Sequence, residues 1–99
     1  MVKWSVPARN DLKQIHDYIA KDSKYYARKV IQDIVAKTEA LTELPKIGRV
    51  VPEISNQNIR ELIVYSYRLN YEISVAGTEI LAIIHGRRDF NSTWDARDH

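Results

Sequence analysis

Residues 67–85, YRLNYEISVAGTEILAIIH, decide the fold. Tyr67, Leu69, Tyr71, Ile73 and Val75 alternate with Arg68, Asn70, Glu72 and Ser74, and a period of two marks a strand with one apolar face. Ala76-Gly77-Thr78 reads as a tight turn, because Gly77 tolerates a positive φ. The run Glu79–His85 is almost wholly apolar, so it is expected inside a sheet rather than at its edge. A connection this short joins antiparallel strands.

Upstream, IRELIVY (59–65) alternates in the same way and supplies a third strand. Residues 45–58, PKIGRVVPEISNQN, read as a loop, punctuated by Pro45, Gly48 and Pro52. It is no pure linker, since Ile47, Val50, Val51 and Ile54 need an apolar environment. Before it, Ala27, Val30, Ile31, Ile34, Thr38, Leu41 and Leu44 hold a 3.6-residue period from about Lys24 to Leu44, where Pro45 stops the helix. Ser23 suits its N-cap. Ala8, Leu12, Ile15 and Ile19 define an earlier helix, with Pro7 in its first turn. The short link between the two makes an antiparallel hairpin. MVKWS (1–5) alternates as a short strand. The order is β-α-α-β-β-β: an α+β fold with an N-terminal strand, a two-helix antiparallel hairpin and a three-stranded antiparallel sheet carrying one layer of helices on one face. The 99 residues form a single domain, with 91–99 expected as a flexible tail.

Composition narrows the function. The chain has no cysteine, which removes disulfides and thiolate metal sites and suits a cytoplasmic location. His16, His85 and His99 lack ligand spacing, so neither metal nor cofactor is expected. No apolar run is long enough to span a membrane, and residues 1–20 do not read as a secretory signal. A net charge of +2 is too small for nucleic-acid binding by bulk electrostatics. Arg49 sits at the middle of the chain and Arg60, Arg68, Arg87 and Arg88 in the second half, and guanidinium groups grip phosphate or carboxylate in a fork.

No phosphate loop, serine elbow or cysteine nucleophile is present. The candidate site is therefore the polar sheet face with the strand end Ile83-Ile84-His85-Gly86-Arg87-Arg88. Arg60 and Arg68 can approach if the hairpin register allows, Gly86 lets backbone pass close to a partner, and His85 can exchange a proton near neutral pH. The same residues also fit a plainer reading, in which Arg60, Glu61, Arg68 and Glu72 are cross-strand ion pairs on a solvated face. Trp4 reads as core; Trp94 either meets a partner or folds back over the sheet edge. Tyr18, Tyr25 and Tyr26 lie on or near the helix hairpin.

The stretches DLKQIHDYIA, LTELPKIGRVVPEI, RELIVYSYRLNYEI and EILAIIHGRRDF, with P-x-x-G-R, R-E-L, Y-R-x-x-Y and H-G-R-R in that order, resemble the ParE/RelE toxin superfamily of type II toxin–antitoxin modules over residues 1 to about 90. The resemblance implies the same β-α-α-β-β-β order. RelE-like members are ribosome-dependent ribonucleases that use basic residues and a tyrosine or histidine; ParE-like members inhibit DNA gyrase. Arg68, Arg87 and Arg88 match the superfamily's basic positions. The lysines of the RelE branch would fall near Ile59 and Glu61, and its late tyrosine near Trp94, so these are missing. The run I-I-H-G-R-R-D is similar to the ParE branch.

That resemblance implies a gyrase-inhibiting toxin of the plasmid-stabilisation type, not an enzyme, with Arg60, Arg68, His85, Arg87 and Arg88 contacting the target. If the chain were instead a RelE-type mRNA endoribonuclease, Arg68, His85 and Arg88 would be catalytic. It further implies a ParD-like antitoxin whose disordered C-terminal segment wraps the toxin over Leu12, Ile15, Tyr18, Arg60, Arg68 and Trp94, and which alone contacts operator DNA.

Overall fold

The computed structural model describes residues 2–85. Strand β1 (Val2–Trp4) leads into helix α1 (Val6–Ala20), and Ser5 caps it by accepting the Ala8 amide at 3.1 Å. Ser23 caps α2 (Lys24–Glu39) in the same way, through the Tyr26 amide at 3.0 Å. The α2 period was expected to run on as helix to about Leu44. It ends instead in a 3-10 turn, Ala40–Thr42, which keeps Leu41 buried while tightening the last hydrogen bonds. Strands β2 (Arg49–Val50), β3 (Ile59–Val64), β4 (Tyr67–Ser74) and β5 (Gly77–His85) follow.

The sheet has five strands in the order β1-β5-β4-β3-β2, not three. The three expected strands form its antiparallel centre, and β1 joins parallel to β5, which places β5 inside the sheet as its composition required. The fifth strand, β2, lies in the stretch read as loop. Two residues are too short to show any periodicity; long-range bonds hold them. The β4–β5 turn is Val75-Ala76, slightly earlier than expected, with Gly77 opening β5 at φ 124°. Val75, which continues the apolar alternation in sequence, therefore sits fully exposed at the turn.

Two cores occupy the two sheet faces. Leu62, Val64, Leu69, Tyr71, Ile80 and Ile83 pack beneath the helices against Ala8, Val30 and Ile34, with Trp4, Leu12, Ile15 and Ile19 partly buried around them. On the other face, Ile59, Ala82 and Ile84 are covered by Val51 and Ile54 of the segment between β2 and β3. Ile47, from the same segment, remains exposed. A bulge lets β5 serve both cores. Tyr71 opposes Ile80 and Asn70 opposes Ala82, so Leu81 is an extra residue. The side chains of Ile80 and Ile83 then fall on the helix face, those of Ala82 and Ile84 on the other.

β1 covers only Thr78–Ile80 of the β5 edge. Beyond it, α1 takes over: Ser5 Oγ donates to the Leu81 carbonyl at 3.1 Å, and the Ile83 amide donates to Asp11 Oδ2 at 2.9 Å. Asp11 thus joins helix to sheet at the bulge. Replacing it by Ala leaves a part-buried amide without its acceptor, and Asp11→Ala is expected to cost about 1–3 kcal/mol in equilibrium urea unfolding. An unchanged midpoint would show that water serves the amide equally well.

Candidate functional site

The polar face of the sheet centres on a buried carboxylate. Glu61, on β3, is 1% exposed. Its Oε2 accepts Arg49 Nε at 2.6 Å and its Oε1 accepts Arg68 Nε at 2.7 Å. Asn70 Nδ2 adds a long contact at 3.4 Å, while Asn70 Oδ1 is buried without a partner. The two outer nitrogens of Arg68 grip Glu53 in a fork, both at 2.9 Å. Two guanidinium groups and two carboxylates balance in charge, which offsets the cost of taking the Glu61 carboxylate out of water. The Arg68 fork holds the Glu53 carboxyl below its ordinary value of 4.5, against the opposing effect of burial. Arg68 itself is pushed further up, first by Glu53 and then by Glu61, so it stays charged at any working pH.

The register explains the convergence. Arg49 opposes Glu61 on the neighbouring strand, and Glu61 opposes Asn70, two residues from Arg68 on the same face. β2 is brought there by a second set of bonds. The Tyr71 hydroxyl donates to the Pro45 carbonyl at 2.6 Å and accepts the Gly48 amide at 3.0 Å. Position 48 must be glycine, since a Cβ there would lie 2.5 Å from the Glu61 carbonyl and 2.6 Å from the Tyr71 hydroxyl. Arg60 closes the segment from outside, donating to the carbonyls of Gly48 and Gln57 at 3.0 Å each.

A different chemistry gathers at the far end of the sheet, where β5 ends beside the β3–β4 turn. The His85 ring lies against Tyr67, centroids 5.0 Å apart, and its Nε2 is 3.1 Å from Ser66 Oγ. The Tyr65 hydroxyl donates to Asp33 of α2, which also pairs with Lys29 at 3.9 Å. That bond pushes the Tyr65 phenol up to about 12, with Tyr26 adding a smaller effect. The Tyr67 phenol is raised by burial first, then by the nearness of Tyr18 and Tyr26. These four tyrosines, from α1, α2, the turn and β4, therefore lie near one another at the end of the sheet beside the β3–β4 turn.

The sequence-derived site residues divide among these places. Arg68 lies in the buried network and Arg60 binds loop carbonyls; they sit on opposite faces of the sheet rather than side by side, because β3 alternation puts Arg60 opposite in sense to Glu61. The ion-pair reading holds for Glu61 with Arg68 across β3 and β4, but the face is not solvated: Glu61 and Asn70 are buried, because Val51 and Ile54 cover that side. His85 faces the helices with Tyr67, whereas Arg68 opposes Ile84 on the other face. Leu12 and Ile15 pack on the core, and Tyr18 is largely exposed. Gly86, Arg87, Arg88 and Trp94 lie outside the described residues. Sequence reasoning missed Arg49, Glu53 and the Tyr71 hydroxyl. A glutamate within an otherwise largely apolar strand, which needs cations brought to it, was the available signal for Arg49. Among the described residues no group of His, Cys, Asp or Glu could hold a metal ion, and no helix is long and apolar enough to cross a membrane.

A family model described as the ParE toxin of the type II toxin–antitoxin system parDE matches residues 2–90. Among solved structures, a chain of the chromosomal ParDE system from P. aeruginosa is 25% identical, with a TM-score of 0.73, covering 87% of this chain and 95% of that one. A chain of the RelB–RelE antitoxin–toxin complex from Methanococcus jannaschii shares the fold at 17% identity and a TM-score of 0.55, covering 97% and 99%. No curated protein matches the chain.

The network makes a graded expectation for stability. Glu61→Gln deprives two guanidinium groups of their shared counter-charge and should cost about 3–5 kcal/mol, the range for breaking a buried pair. Arg60→Ala removes hydrogen bonds at a part-exposed site and should cost about 1 kcal/mol. Urea titrations of both variants check the order, and equal losses would contradict it. Because the folded-state pKa of Glu53 is depressed, its contribution is present above about pH 4.5 and lost as pH falls through the folded value. Glu53→Gln should therefore flatten the stability–pH curve below about 4.5, read as thermal midpoints between pH 2 and 7.

Proposed function

The chain belongs to the ParE toxin family of type II toxin–antitoxin systems, and from that premise we propose that it arrests growth by binding DNA gyrase, with no bond made or broken. A ParD-like antitoxin holds it silent by laying a C-terminal segment over the groove beside Leu12 and Ile15, and contacts operator DNA on the pair's behalf. The reading places both proteins in the cytoplasm. The match to a chain of a ParDE system at 25% identity supports the branch.

The observation that carries the non-enzymatic reading is the separation of Arg68 from His85. A ribonuclease must neutralise a phosphate and move a proton at the same bond. Here the matching arginine is engaged by Glu61 and Glu53 on one sheet face, while the His85 ring lies tilted against Tyr67 on the other. Glu61, where the ribonuclease branch carries a lysine, adds a negative charge in place of a positive one.

Purified toxin should inhibit supercoiling of relaxed plasmid by gyrase at micromolar concentration or below. Added to a translation extract, it should leave mRNA intact. Codon-positioned cleavage lost in His85→Ala, with supercoiling untouched, would replace this reading with the ribonuclease one.

A further inference from the structure

We infer that the tyrosine-bearing end of the helix hairpin is the surface by which the toxin holds its target, and that it fits an acidic protein surface. The inference deepens the proposed function and rests on it for the identity of the target.

Tyr18 and Tyr25 are 71% and 78% exposed, and Tyr26 and Tyr65 are about half exposed. Aromatic side chains on a surface leave apolar area in water, and tyrosines grouped in this way are the residues that anchor protein interfaces. Their partner's charge follows from the ions around them. Asp33 is engaged by Tyr65 and Lys29, and Asp17 lies in hydrogen-bond contact with His16 at 3.2 Å and keeps its negative charge. Among the described residues, no ion pair engages Lys21, Lys24 or Arg28, all exposed where the two helices meet. Asp17 and Asp22 offset two of these three charges, which leaves the balance at this end positive by one. The interspersed carboxylates count against a continuous phosphate backbone and suit the patchwork of a protein surface.

This end is separate from the Glu61 network. The arginines nominated from sequence at that network are held by internal bonds, whereas the tyrosines and lysines here present their side chains outward. Docking here would leave the buried network undisturbed.

The test uses the full chain in two surface variants, Lys24→Glu with Arg28→Glu, and Tyr18→Ser with Tyr25→Ser. Neither pair lies in a core, so thermal midpoints should stay within a few degrees of wild type. Each variant should require at least tenfold more toxin to inhibit gyrase supercoiling, and wild-type inhibition should weaken as salt is raised. Wild-type potency in both folded variants overturns the inference. If wild-type toxin spares gyrase yet arrests growth, the gyrase reading fails alone; loss of arrest in the variants then still supports this surface, and retained arrest overturns it. If wild-type toxin does neither, both fall. Tight binding of a labelled single-stranded oligonucleotide, lost in the same variants, would make nucleic acid the occupant and overturn the protein assignment.

Discussion

A carboxylate buried at the middle of a sheet constrains everything around it. Taking the Glu61 carboxylate out of water is costly unless positive charge is brought to it. Arg68 arrives from the next strand in register, but Arg49 arrives from the far side of a segment that has almost no secondary structure of its own. The two-residue strand β2 exists because that meeting fixes it, helped by the Tyr71 hydroxyl across Pro45 and Gly48. Once β2 is placed, Val51 and Ile54 cannot avoid covering the sheet's second face. One ionic requirement therefore organises the long connection, closes the sheet edge and creates the smaller core.

The second core in turn explains a feature of β5 that alternation alone leaves puzzling. A strand with one wet face should alternate, and β5 does not. It needs apolar side chains on both sides, because helices lie over one and the β2–β3 segment over the other. The bulge at Leu81 shifts the phase midway, so that consecutive apolar residues serve alternate cores without a polar gap. The bulge also disturbs the edge that β1 leaves uncovered, and Ser5 and Asp11 supply the hydrogen bonds that a longer first strand would have made.

The helices, the three central strands and the interior position of β5 were legible because each carries a period or a composition with a single physical cause. Ser23 and Pro7 announced helix starts for the same reason. What escaped was held by partners distant in sequence. β2 depends on Glu61, 12 residues away from Arg49, and on Tyr71, 23 away from Gly48. The parallel placement of β1 depends on β5, more than seventy residues downstream. The candidate site suffered most. Arginines clustered in sequence suggested one cationic rim, yet strand alternation and the buried glutamate sent Arg60, Arg68 and His85 to three different environments. The tyrosines were noticed individually, but only the tertiary fold brings those of α1, α2, the β3–β4 turn and β4 to one end.

The residues that carry the family likeness now have a physical meaning, and it bears on function. Pro45, Gly48 and Arg49, then Arg60 and Glu61, then Tyr67, Arg68 and Tyr71 include the groups of the buried network and the bonds that position β2. A chain holding this set is under strong constraint to keep it, whatever its target, because losing one member leaves a charge or hydroxyl unsatisfied in the interior. Such a signature identifies a scaffold and is silent about what the scaffold touches. A chain of a RelB–RelE complex and a chain of a ParDE system accordingly share the fold with this protein despite the different names of their systems. Choice of target must then reside in side chains the fold does not require, and these are exposed ones. On the described part of the molecule, the tyrosines and unpaired cations where the helices meet are such residues, free to vary without cost to the core.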